Sequence, residues 1–398
     1  MNASPTRVVI VGAAAGGLAA AEALRRSGFG GVITLVGDEP WLPYDRPPLS
    51  KQLLTGQWAP DRLALRPETD IHALGLELRL GVAATAVDTG RRVVTLADDT
   101  HLSYDALIVA TGVRARRLPG TDGLAGVHTL RTLPDALALK ERLRPGRHLV
   151  IVGAGFVGAE VAATARGLGV RVTLLESGPV PLALAVGEEA GRLITRLHVE
   201  HGVTVRTQVS VTDVIGTGGG PRVGVRLADG TVVAADDVLV AIGSVPNTEW
   251  LAGSGLSVRN GLVCDEYSSA ADRVYGVGDV ARWHNPLFGT HMRVEHRTNA
   301  AEQGMAVARN LLGEPRPFAP VPYFWSDQYG TKFQAYGHLR DHDEALVLDS
   351  DHLLVAYRKA DRLVGVLAAD MSPKVLRAWR ALIAARAPWT TALTTAAA

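Results

Sequence analysis

Residues 148–177 read HLVIVGAGFVGAEVAATARGLGVRVTLLES, and this stretch decides the fold. Its opening apolar run, rich in β-branched residues and closed by glycine, is a strand buried on both faces. Gly153-Ala154-Gly155-Phe156-Val157-Gly158 follows as a complete GxGxxG. An Ala-rich helix, a short Gly-containing turn and a second buried strand come next, and Glu176 ends that strand. In such a unit Gly153 permits the tight turn, Gly155 lets the backbone approach a pyrophosphate, and Gly158 lets helix and strand pack closely. A carboxylate at Glu176 suits a ribose 2′-hydroxyl and repels a 2′-phosphate, which favours NADH over NADPH.

Outward from there, residues 7–39, RVVIVGAAAGGLAAAEALRRSGFGGVITLVGDE, repeat the pattern. Gly12 and Gly17 hold the first and third glycine places with Gly16 beside the third, Ala14 stands where the second glycine of the motif falls, and Asp38-Glu39 supply the acid. Two βαβ units predict an α/β protein with two parallel sheets, that is, two Rossmann-like dinucleotide-binding domains. Two such sites in one chain suggest a tightly held FAD and a passing NADH. Between and after them, polar hairpins at 91–104 and 203–234 alternate like antiparallel strands, the second with a glycine-rich tip at 216–220. The buried strand 237–242 ends at Gly243, another position assigned to the cofactor site. A helix is predicted at 299–312, with Asn299 and Glu302 at capping-box spacing and Gly313 ending it. Strand-rich sequence from about Phe318, an amphipathic helix at 373–385 and a frayed tail at 390–398 complete a C-terminal α+β domain.

Composition narrows the chemistry. Lys and Arg number 41 against 40 Asp and Glu, so no global charge directs the chain to nucleic acid or an anionic membrane. The single cysteine, Cys264, excludes an internal disulfide, a CxxC redox pair and multi-cysteine metal sites, and reads as an inert core thiol. Electrons must therefore be carried by something bound. His198 with His201 and His338 with His342 lack a third ligand and read as solvated histidines, so no metal site is expected. Residues 8–21 split into a strand and a helix-opening turn, unlike a signal peptide, and no run reaches membrane-spanning length; the expectation is a cytoplasmic, soluble protein.

The remaining motifs carry a family resemblance. GDEPWLPYDRPPLSK (37–51), ATG (110–112), LRT (130–132), VGDVAR (277–282), RVEH (293–296) and FWSDQY (324–329) resemble the FAD-dependent NADH:ferredoxin reductases. These are the type that serves haem-thiolate monooxygenases and Rieske dioxygenases, with a glutathione-reductase-like fold. The resemblance implies an FAD-binding domain at 1–116 and 244–320, an NAD-binding domain at 117–243 and a C-terminal domain at 321–398. It implies that Asp38 binds the adenosine ribose and that Ala84 gives backbone contacts to adenine. Arg46 and Lys51 would lie over the flavin and pyrophosphate, Arg131 would reach the phosphates, Asp279 a ribityl hydroxyl and Arg297 the flavin edge. Lys51 would pair with Glu160 where disulfide reductases carry their cysteines, and Trp325 would sit against the isoalloxazine.

Three departures from the family pattern, at four positions, stand out: Ala14; Arg297, where an apolar or aromatic residue is commoner; and Val180 with Leu184, where arginines usually grip the NADH adenosine and phosphates. The implied activity passes electrons from NADH through FAD to a 2Fe-2S ferredoxin, with the protein a monomer or weak homodimer. A basic surface including Arg66, Arg309 and Arg316 is expected to meet the ferredoxin. The alternatives are an NADH:acceptor flavoprotein using quinone or rubredoxin, and a redox sensor of the apoptosis-inducing-factor kind.

Overall fold

A computed structural model describes residues 5–216, 223–350 and 353–396. The chain forms two compact units. The first comprises residues 1–45, 61–114 and 245–322; the second comprises 46–60, 115–244 and 323–398.

The first unit is built on a six-stranded sheet in the order Ser269–Ala271, Val274–Gly276, Ala106–Val109, Arg7–Val11, Val32–Gly37, Glu77–Leu80. All neighbours are parallel except the first pair. The strand Arg7–Val11 shows why its sequence is continuously apolar. Val8 and Ile10 pack with the helical layer around Leu24 and Val307, while Val9 and Val11 pack on the opposite side with Val94 and Trp283. The helices Ala15–Arg26 and Arg297–Leu311 lie close because small residues face each other: a methyl on Gly304 would stand 2.6 Å from the Gly16 carbonyl oxygen.

The second unit contains a fully parallel sheet, Thr204–Arg206, Arg171–Leu175, His148–Val152, Asp237–Val240, Val127–His128. A three-stranded meander and a five-stranded antiparallel sheet, Tyr323–Gln328, Thr331–Gly337, Arg362–Ala369, Leu354–Lys359, Glu344–Asp349, belong to the same unit. Leu376, Trp379 and Ile383 are the buried stripe of the amphipathic helix Pro373–Ala384.

Three local expectations are corrected. The helix expected from Asn299 begins two residues earlier, at Arg297, with His296 as its N-cap. Asn299 and Glu302 therefore lie inside the helix, and Asn299 is buried, so their spacing is not a capping box. The tail forms a helix, Trp389–Ala396, rather than fraying. It is tied down because the Trp389 N–H donates to the Asp361 carbonyl at 2.6 Å and Ala392 is buried. In the meander, Val211–Gly216 pairs with Val223–Leu227 as expected, but most of the glycine-rich tip lies outside the described residues.

Candidate active site

In the second unit the glycine turn joins the strand His148–Val152 to the helix Phe156–Gly167. Gly153 has φ of +97°, where side chains are strained, and a methyl there would overlap the Ala241 carbonyl oxygen. A methyl on Gly158 would overlap the Gly153 carbonyl oxygen, which is the close helix–strand approach expected of the third glycine. Gly155 is different: it is the helix N-cap in extended backbone, and a methyl there would meet nothing within 4 Å. Space is thus left beside the free N–H groups of a helix start, where an anionic phosphate is stabilised.

Glu176 closes this turn. Its Oε2 accepts the Ala154 N–H at 2.8 Å and its Oε1 the Gly178 N–H at 2.7 Å, so the acid also holds the loop that would receive a ribose. Gly243 ends the neighbouring segment with φ of +97°, and its carbonyl accepts the Arg116 N–H at 2.9 Å.

The first unit repeats the cradle. Methyls on Gly12 and Gly17 would overlap the Ala110 and Gly12 carbonyl oxygens, and one on Gly16 would stand 2.8 Å from Val277. Ala14 is the N-cap of the helix Ala15–Arg26 with φ of −128°, an extended conformation open to any residue. The departure at Ala14 therefore costs the turn nothing, being the counterpart of Gly155 rather than of the strained Gly153. Of the two acids that follow, Glu39 accepts the Tyr44 hydroxyl at 2.6 Å, whereas Asp38 lines a cleft of about 720 Å³. Leu78, Leu80, Val82, Ala83 and Ala97 also line it; Ala84 does not, because it enters the strand Ala84–Asp88 opposite Leu96. Glycine cradle, cleft and acid together fit an adenosine dinucleotide.

Also in this unit, Asp279 lies in the 3₁₀ turn Gly278–Val280, and its carbonyl accepts from Arg293 at 3.2 Å. Arg297 has a partner that spacing did not suggest: its Nε lies 2.9 Å from Asp45 Oδ1. The pair joins the first residue of its helix to the aspartate of the PYDRPPLSK segment. Arg66 is ion-paired with Glu22 at 2.6 Å.

The remaining site residues lie within the second unit. Lys51 follows the 3₁₀ turn Pro47–Ser50, and its Nζ lies 2.7 Å from Glu160 Oε2. Both side chains are nearly buried, at 11% and 9% exposure, so the pair stands only because the surroundings complete it. Ser50 Oγ donates to the same oxygen at 2.5 Å, and Ser326 Oγ donates to Oε1 at 2.9 Å. One helical turn beyond Glu160, Thr164 Oγ1 donates to the Ser50 carbonyl at 2.9 Å, so one helix face grips residues 50 and 51 twice. Arg46 Nη1 donates to the Arg131 carbonyl at 2.8 Å, bringing those two predicted residues together. Trp325 is half-buried on the strand Tyr323–Gln328, its ring stacked on Tyr323 at 5.9 Å. Ser50 and Ser326 were present in the motifs, but no spacing rule marks a serine as the partner of a distant glutamate.

The histidine reading needs correction. His198 is fully buried rather than solvated; its Nδ1 lies 2.7 Å from the Tyr329 hydroxyl. Burial, with His201 beside it, pushes its pKa down to about 4, so it is neutral at pH 7. His201 stacks on Tyr329 at 3.9 Å, and His342 is part-buried with its Nδ1 2.7 Å from the Leu339 carbonyl. No group of three or more potential metal ligands occurs among the described residues. Cys264 is buried, and burial pushes its thiol up to about 12, which keeps it unreactive. Among the described residues no helix is long and apolar enough to cross a membrane.

Comparison with known proteins fits this geometry. Residues 323–397 match the family model described as reductase C-terminal. The chain is 39% identical to rhodocoxin reductase of Rhodococcus erythropolis over 388 residues, covering 96% of this chain and 90% of that one. It is 37% identical to a rubredoxin-NAD(+) reductase of Pseudomonas putida, covering 90% and 94%. The crystal structure of the covalent putidaredoxin reductase–putidaredoxin complex superimposes with a TM-score of 0.92 at 35% identity, covering 97% of this chain and 94% of that one. Residues 6–304 match the model described as pyridine nucleotide-disulphide oxidoreductase, and the chain belongs to that family, with a buried Lys51–Glu160 pair and no second cysteine.

Proposed function

We propose that this protein takes electrons from NADH through FAD and delivers them to a 2Fe-2S ferredoxin serving an oxygenase. The observation that carries the reading is the buried Lys51–Glu160 pair in a chain whose single thiol is buried and unreactive. It leaves no route through a disulfide. The relatives named reductases of rhodocoxin and putidaredoxin support the same acceptor class.

FAD, when bound, supplies the conversion of a two-electron donor into single-electron deliveries. The protein's part is binding and electrostatics. Gly12, Gly16 and Gly17 let the turn and helix pack closely enough to offer the helix-start N–H groups to one pyrophosphate, and Asp38 accepts a ribose hydroxyl from the cleft it lines. Arg46 and Arg131 hold phosphate charge, Ala83 lines the cleft beside the adenine with Ala84 adjoining it in the chain, and Asp279 accepts from the ribityl chain. Arg297, first residue of its helix and ion-paired with Asp45, places the helix-start N–H groups at the flavin edge. Lys51 holds an ammonium against the reacting end of the flavin, with Glu160 balancing its burial, and Trp325 covers the opposite approach. Gly153, Gly155 and Gly158 receive the NADH pyrophosphate, with Glu176 selecting NADH over NADPH and Gly243 bordering the site. The division is FAD-binding (1–116, 244–320), NAD-binding (117–243) and C-terminal (321–398), in a cytoplasmic monomer or weak homodimer.

The test is NADH-driven cytochrome c reduction by the yellow holoprotein, with and without an added 2Fe-2S ferredoxin. The rate should depend on ferredoxin and fall with NADPH. A rate indifferent to ferredoxin but raised by rubredoxin would move the protein to the acceptor class named for the rubredoxin-NAD(+) reductase, and a colourless protein would end the reading.

A further inference from the structure

Glu160 is tied down from two sides. Lys51 Nζ and Ser50 Oγ reach one carboxylate oxygen, at 2.7 and 2.5 Å; Ser326 Oγ reaches the other at 2.9 Å. The Ser326 hydroxyl has one proton, and its remaining neighbour, Gln328 Nε2 at 3.2 Å, is itself a donor. The proton is thereby committed to Glu160, and the bonds run in one direction, from Gln328 to Ser326 to Glu160. Ser326 and Gln328 are both 1% exposed, so the two bonds lie away from bulk water.

The second side matters because the terminal torsion of a glutamate is broad and roughly two-fold. Lys51 and Ser50 alone hold one oxygen and leave the carboxylate free to pivot about it. A bond on the other oxygen fixes the plane. Ser326 also alternates with Trp325 along the strand Tyr323–Gln328, its hydroxyl facing inward while the indole lies on the half-exposed face with Tyr323.

We propose that Ser326, oriented by Gln328, is a positioning residue that fixes the Glu160 carboxylate, sets the place of the Lys51 ammonium through it, and couples that pair to the strand bearing Trp325. The consequence for redox chemistry rests on the reading above that Lys51 faces the flavin; the consequence for Lys51 itself does not.

Two measurements on Ser326→Ala, Ser326→Thr and Gln328→Leu separate these. In apoprotein, acetylation of Lys51 by acetic anhydride, followed by mass spectrometry, should run about tenfold faster in Ser326→Ala, as expected for loss of one bond to a charged group. Threonine should restore the slow rate, and Gln328→Leu should shift it in the same direction by less. In holoprotein, Ser326→Ala should lower the flavin midpoint potential and slow flavin reduction by NADH about tenfold with KM unchanged. Wild-type acetylation in both Ser326→Ala and Gln328→Leu overturns the proposal. Faster acetylation with an unchanged potential keeps the positioning role and sinks the placement of Lys51 at the flavin. If Ser326→Ala does not fold, Gln328→Leu decides alone.

Discussion

The family resemblance implies arginines at the positions of Leu184 and Val180, and the surroundings of these two residues predict opposite outcomes for placing arginine there. Leu184 is 88% exposed at the second residue of the helix Ala183–Glu200, so Leu184→Arg removes no packing. Its stability should stay within about 0.5 kcal/mol of the parent. An exposed guanidinium meeting a coenzyme phosphate should contribute roughly 0.5–1.4 kcal/mol, lowering the KM for NADH about two- to tenfold with kcat unchanged.

Val180 is 7% exposed, and its side chain rests on Gly191, where even a methyl would overlap it. Val180→Arg forfeits roughly 1.5–3 kcal/mol of apolar burial and places a guanidinium in an apolar contact. A loss of about 3 kcal/mol should lower the melting temperature by roughly 6–12 °C. The assays are NADH-dependent ferricyanide reduction and thermal unfolding of the same preparations. An unchanged KM in a folded Leu184→Arg variant would refute the placement of this loop beside the coenzyme. A Val180→Arg variant as stable as the parent would refute the packing argument.

Three further outcomes are expected. Asp237 is 3% exposed and takes Arg142 Nε at 2.7 Å, Arg147 Nη2 at 2.7 Å and His128 Nε2 at 3.2 Å. Burial pushes its pKa up, but those hydrogen bonds outweigh it and hold the carboxyl below the ordinary value. Because the folded pKa is depressed, the stabilisation is present above the unfolded value of about 3.9 and is lost as pH falls through the folded one. Asp237→Asn should cost about 2–4 kcal/mol at pH 7, discounted for the part-exposed arginines, with the gap to the parent closing below about pH 4 in urea titrations. A gap that does not change with pH would count against this account. Lys51→Met should slow flavin reduction by NADH about 10–100-fold in stopped flow, while NADH affinity holds; a wild-type rate would remove Lys51 from the chemistry. Gly17→Ala should purify without flavin colour because its methyl overlaps the Gly12 carbonyl, whereas Ala14→Gly should keep full FAD content. Equal flavin content in the two would contradict the cradle.

The sequence by itself determined what depends on near neighbours in the chain. A run such as VVIV, a glycine turn and an Ala-rich helix are set by torsions and hydrogen bonds within a few residues, so both βαβ units were legible, as was the C-terminal α+β region. The same locality misled at Asn299, where a capping-box spacing fell inside a helix, and at the tail, which is held by Asp361 rather than by its own composition. The motifs named Lys51 and Glu160, but only through resemblance. The side chains that complete their pair lie 110 and 166 residues from Glu160, and the Asp45 that holds Arg297 lies 252 residues away. Burial of His198 was invisible for the same reason. A buried polar group must find its partner across the packed core, and tertiary structure alone chooses which distant hydroxyl or carboxylate arrives there.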